Sequence, residues 1–120
     1  MRKMKKTDGI IRWLMDEEKR CYKYYLIQGK VKIEDEKGCH FIDSYGIEVI
    51  REDYSGNKKV YTEREVILNV NPNKEKVYAL LCKIAEGLLS PIHLVEYFDE
   101  IADEYLRDFD MVFEDMKIAI

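Results

Sequence analysis

Between Arg20 and Val70 the hydrophobic positions recur at every second residue, and from Asn73 onward they recur at every third or fourth. In the stretch from Arg20 to Glu34, Cys21, Tyr25, Ile27, Val31 and Ile33 share one parity and Tyr22, Tyr24, Leu26, Lys30 and Lys32 the other. That is the pattern of a strand, loosened at Gly29. Glu34 to Gly38 supply a turn, after which Cys39, Phe41, Tyr45, Ile47 and Val49 alternate with His40, Ile42, Gly46, Glu48 and Ile50, Gly46 being a candidate bulge. Ser55-Gly56-Asn57 make a second turn, and Val60 to Val70 alternate again. Strands joined this way predict an antiparallel meander.

The switch of period falls at Asn71-Pro72-Asn73, where asparagine can cap free amide donors and proline suits a helix start. Val77, Leu80, Leu81, Ile84 and Leu88 then form one apolar stripe, which Gly87 closes. A second helix starts at Ser90-Pro91, with Leu89 and Leu94 placed as a hydrophobic staple. Its stripe runs through Leu94, Phe98, Ile101, Ala102, Tyr105, Phe109, Val112 and Met116. Ahead of the strands, Ile10, Ile11, Trp13 and Leu14 predict a short helix behind a flexible basic arm of residues 1–8. The expected fold is a single α+β domain over 1–120. It comprises a three- to four-stranded antiparallel meander, two C-terminal helices packed on one face and a short N-terminal helix.

Tyr22, Tyr24, Leu26, Ile42, Ile50, Tyr61 and Ile67 make the second parity of the strands apolar as well. Two helices shield one face comfortably, so the other must be covered by the N-terminal segment, by a second copy or by a partner, and the expectation is an interaction face. The expected contact residues are Tyr22, Tyr24, Tyr61, Phe109, Val112, Phe113 and Met116, from that face and from the end of the last helix, because aromatics and methionine dominate well-packed interfaces.

Length and composition add limits. A chain of 120 residues, 47% hydrophobic and 37% charged, buries enough surface to fold without disulfides or metals. Cys21, Cys39 and Cys82 are odd in number and form no CxxC pair, which suits reduced thiols. Arg12 and Asp16-Glu17-Glu18 interrupt the apolar run behind MRKMKK, so no signal peptide is expected. No run reaches the length of a membrane span. The expected compartment is the cytoplasm. The net charge of -4 is uneven, with Arg2, Lys3, Lys5 and Lys6 at one end and Asp99, Glu100, Asp103, Glu104, Asp108, Asp110, Glu114 and Asp115 at the other.

Candidate chemistry is thin. His40 and His93 are the two histidines. Cys39 and His40 are adjacent on a strand, so their side chains diverge and cannot share an ion. The acids of the last helix oppose its apolar stripe, as a solvated face does. No GxGxxG, GxxxxGK[ST], GxSxG or HExxH occurs. A helix-turn-helix reading of the two helices fails on charge, since Glu96, Asp99, Glu100, Asp103 and Glu104 would repel phosphates. No catalytic, cofactor-binding or metal-binding residue is assigned.

Tyr45-Gly46-Ile47, followed by Leu89-Ser90-Pro91-Ile92-His93-Leu94 with Phe98 and an acidic continuation, resembles a family of small uncharacterised proteins of clostridia-like, spore-forming Gram-positive bacteria. The likeness covers roughly Tyr22 to Leu106. It implies a cytoplasmic accessory role and brings no catalytic or ligand residue with it. The reading is therefore a non-enzymatic protein-interaction or regulatory module, with a protein partner or a second copy, no cofactor and no membrane. Two alternatives stand beside it: a small-ligand binder or enzyme with a pocket near Cys39 and His40, and an acidic DNA mimic or nucleic-acid-associated protein.

Overall fold

The computed structural model describes residues 5–15 and 18–118. Four strands come first: β1 (Lys5–Met15), β2 (Lys19–Asp35), β3 (Gly38–Ser55) and β4 (Lys58–Asn71). Two helices follow: α1 (Lys74–Glu86) and α2 (Leu94–Ile118), the latter entered through a 3-10 turn at Pro91–His93. The strands form one antiparallel sheet in the order β1-β2-β3-β4. The expected meander is present and has four strands.

The short N-terminal helix is absent. Residues 5–15 form β1, which pairs with β2 from Lys5↔Gln28 to Met15↔Lys19. Ile10 and Leu14 do stand at helical spacing, but Ile10, Arg12, Leu14 and Ile11, Trp13, Met15 also alternate. Pairing with the otherwise open edge of β2 decides between the two. Of the basic arm expected over residues 1–8, residues 5–8 belong to β1 and residues 1–4 lie outside the described residues.

The register explains which side chains are buried. Asp8↔Leu26, Leu26↔Ile47 and Ile47↔Ile67 line up across the sheet, as do Ile10↔Tyr24 and Tyr24↔Val49. The even positions of β2 therefore share a face with the odd positions of β3. Onto that face pack Val77, Leu80, Leu81, Ile84 and Ala85 of α1 and Leu94 and Phe98 of α2, closing a core with Tyr22, Tyr24, Leu26, Ile47, Val49 and Val70. Gln28 and the β2–β3 hairpin beyond it extend past the end of β4, and the molecule is elongated, 59 × 29 × 20 Å.

Gly46 is required by backbone proximity. A Cβ there would stand 2.3 Å from the Ile67 carbonyl oxygen, at a bulge in the β3–β4 pairing where Asn69 adopts φ 58°. Gly29, by contrast, sits in regular register opposite Ser44.

The helices are fixed at their ends. Asn73 caps α1 by accepting from the Lys76 amide at 3.0 Å. The Arg12 guanidinium donates to the Ala85 carbonyl at 3.0 Å, at the negative end of α1. Helix α1 closes through Gly87 as expected, although the left-handed residue is Leu88 (φ 52°), with Leu89 N–H bonding the Ile84 carbonyl at 3.1 Å. Tyr24 Oη donates to the Leu89 carbonyl at 2.9 Å, tying the centre of the sheet to the connection between the helices.

Helix α2 runs alongside β4. The Ile92 amide donates to Glu63 Oε1 at its start, and the Asn71 side-chain amide reaches the Tyr105 carbonyl and Asp108 Oδ2 further on. Ile92 to Asp108 spans about 24 Å of helix, and Glu63 to Asn71 about 26 Å of strand. The two elements keep step. Past Asp108, Phe109 is buried and pairs with the Phe113 ring, centroids 6.3 Å apart.

Candidate functional site

The face of the sheet away from the helices is built from the other parity: Gly9, Ile11, Trp13 and Met15 of β1; Lys19, Cys21, Lys23 and Tyr25 of β2; Glu48, Ile50, Glu52 and Tyr54 of β3; and Lys59, Thr62 and Arg64 of β4. Its centre is ionic where an apolar surface was expected. Glu48, 1% exposed, is held by Lys6 Nζ at 2.8 Å and by the Arg64 guanidinium from the opposite edge. Four residues along the same strand, Glu52 is held by Lys23 Nζ at 2.7 Å and by Lys59. Burial pushes the Glu48 carboxyl up, and the two cations beside it more than reverse that, leaving it below the usual carboxylate range. Lys23 and Lys59 likewise lower Glu52 against its burial.

A carboxylate in the middle of a sheet is tolerable when each oxygen lies against a cation and the cations reach water. That is the arrangement here. Because each acid takes two cations, this face stays positive. Over the body of the sheet Lys6, Lys19, Lys23, Lys59 and Arg64 face two carboxylates, Glu48 and Glu52. On α2 the sign reverses, with nine acids between Glu96 and Asp115 against Arg107 alone.

One corner of the open face is apolar. Met15, Lys19, Tyr54 and Lys59 lie in a row across the four strands, and beside them Ile11, Trp13, Met15 and Val60 are all exposed, Trp13 by 49% and Met15 by 68%. Trp13 leans on Tyr54, ring centroids 5.7 Å apart, and the Lys19 ammonium lies 5.5 Å from its centroid. Between Met15, Lys19, Tyr54 and Val60 runs a groove of about 500 Å³ that also touches Glu18 and Asp53. Those two acids are already engaged, Asp53 in a two-pronged pair with Arg51 and Glu18 3.5 Å from Arg20.

The expected contact residues separate into three groups. Tyr22 and Tyr24 are buried in the sheet–helix core, stacked with centroids 6.4 Å apart, so neither is available to a partner in this fold. Tyr61 is exposed and stands apart, donating to Glu63 Oε2 at 2.7 Å beneath the Arg51 guanidinium. Phe109 is buried, while Val112, Phe113 and Met116 are half-buried along the end of α2. Sequence reasoning missed Ile11, Trp13 and Met15, because the segment holding them was read as a helix. Their alternation was the signal.

Cys39 and His40 sit near the β2–β3 turn on opposite sides of the strand, Cys39 Sγ 3.7 Å from Glu34 Oε1 and His40 Nε2 3.3 Å from Asp35 Oδ2. They do not converge. Among the described residues no group of three or more His, Cys, Asp or Glu could hold a metal ion, and no helix is long and apolar enough to cross a membrane.

A family of unknown function, DUF6514, matches residues 5–106. The chain belongs to DUF6514. No curated protein and no solved structure matches it. The DUF6514 span takes in all four strands, α1 and the first half of α2, and so includes the whole open face and its apolar corner. Phe109, Val112, Phe113 and Met116 fall beyond it.

Proposed function

We propose that this DUF6514 protein is a non-enzymatic protein-interaction module of the bacterial cytoplasm, with the apolar corner of the open sheet face as its contact surface. The resemblance noted above points to a clostridia-like source. The observation that carries the reading is the clustering of Ile11, Trp13, Met15 and Val60, four large apolar side chains left exposed together at one end of a sheet whose other face carries the packed core. Trp and Met at the centre of a patch with a charged rim are what partner proteins bury most profitably. Nothing in the donor sets around Cys39, His40 or the acids of α2 assembles a nucleophile with a base.

The test is a photo-reactive benzoylphenylalanine in place of Met15, irradiated in the source cells. The reading expects a discrete adduct with one protein, absent when the same group replaces Lys83 on α1. Irradiation that yields no adduct from position 15, or the same adducts from both positions, overturns it.

A further inference from the structure

We infer that the partner presents an acidic amphipathic helix, its apolar stripe laid on Ile11, Trp13 and Met15 and its carboxylates against Lys19, Lys23 and Lys59. This rests on the interaction reading and adds the chemistry of the partner. The row Ile11, Trp13, Met15 repeats every two strand residues, about 6.7 Å. The apolar positions of a helix repeat every turn, about 5.4 Å, so about two and a half turns span the row of about 13 Å. The groove between Met15, Tyr54 and Val60 receives the helix flank.

Charge selects the occupant. The buried carboxylates Glu48 and Glu52 are ion-paired from within and outnumbered by the cations over the body of the sheet, so an incoming acid meets cations already held in place. A second copy docked face to face would set like charges against each other. A second copy docked through its own α2 has an acidic helix to offer, but Leu94, Phe98 and Phe109 of that helix are buried on its own subunit, which leaves it no apolar stripe to give. Single-stranded nucleic acid needs free aromatic faces. Tyr25 is packed on Gly9 with the Lys6 ammonium 4.4 Å from its centroid, which leaves the half-exposed Trp13 without a second free ring beside it to continue a stack.

The test uses the full chain and four probes. They are a synthetic helix with leucine at i, i+3, i+4 and i+7 flanked by glutamate, the same peptide with lysine for glutamate, an oligodeoxynucleotide, and vesicles containing phosphatidylserine. Binding is followed by amide chemical shifts and Trp13 fluorescence. The expected result is saturable binding of the glutamate peptide, with shifts centred on residues 11–15, 19–23 and 54–60. Affinity should fall at least about tenfold in Lys19→Glu and, as a second exposed variant, Met15→Asp. The lysine peptide should bind at least about tenfold more weakly. Equal binding of both peptides, tighter saturation by the oligonucleotide or the vesicles, or a peptide bound as an added strand on β1 overturns the inference. If the glutamate peptide fails while the adduct from position 15 maps to a segment of another kind, the interaction reading stands and the acidic helix is wrong. If both fail, both fall.

Discussion

The two faces of one sheet are made from the same four strands and solve opposite problems. On the helix-covered face Tyr24 and Leu81 are 0% exposed, and the Tyr24 Oη finds a backbone partner in the Leu89 carbonyl. On the open face the central positions are carboxylates, Glu48 and Glu52, made tolerable by cations reaching over from neighbouring strands. One face is closed by shape, the other by charge, and at the Trp13 corner the second leaves a cluster of apolar side chains to water. Stability should therefore depend on the first face and recognition on the second.

The largest effect expected from breaking this division is Leu81→Ala, which opens a cavity under the sheet and should cost about 2–5 kcal/mol in urea unfolding. Next comes Gly46→Ala, which drives a methyl into the Ile67 carbonyl and should cost about 1–3 kcal/mol by the same measurement. Tyr24→Phe removes one buried hydrogen bond and should cost about 1 kcal/mol. An unchanged midpoint in Leu81→Ala or Tyr24→Phe would mean the helix-covered face is not what holds the fold, and one in Gly46→Ala that the β3 and β4 backbones do not approach closely there.

On the open face Glu48 and Glu52, and on the opposite parity Asp53 beside Arg51, all titrate below their ordinary values in the folded protein. Their contribution is fully present above the normal carboxylate range and is lost as pH falls through the depressed folded values. Thermal midpoints should hold from neutrality down to that range and drop only below it, and Glu52→Gln should flatten the drop. A steady loss already beginning near neutrality would contradict the clamp. The smallest effect on stability belongs to Trp13→Ala, expected within about 0.5 kcal/mol because the side chain is half in water.

Much of this fold is legible in the sequence. The alternation in β2, β3 and β4, the caps at Asn73 and Gly87, the Ser90-Pro91 entry and the bulge at Gly46 all act locally, and local signals are what a chain displays. Two features are not local. The strand at residues 5–15 depends on pairing with β2, which overrides the helical spacing of Ile10 and Leu14. The assignment of faces depends on register, because Tyr24 joins the core only through its alignment with Val49, and parity within a single strand cannot supply that. For the same reason Glu48 and Glu52 read in the sequence as unremarkable strand acids, although their cations come from as far away as Lys6 and Arg64.

Trp13 is the only tryptophan, so its fluorescence reports the open face without labelling. The most direct measurement is acrylamide quenching of that emission in the native chain against the urea-unfolded chain, over a range of protein concentrations. A quenching constant that is a substantial fraction of the unfolded value and does not vary with concentration is predicted. A Trp13 shielded like a core residue, or one that becomes shielded as concentration rises, would contradict an open face kept for a different protein.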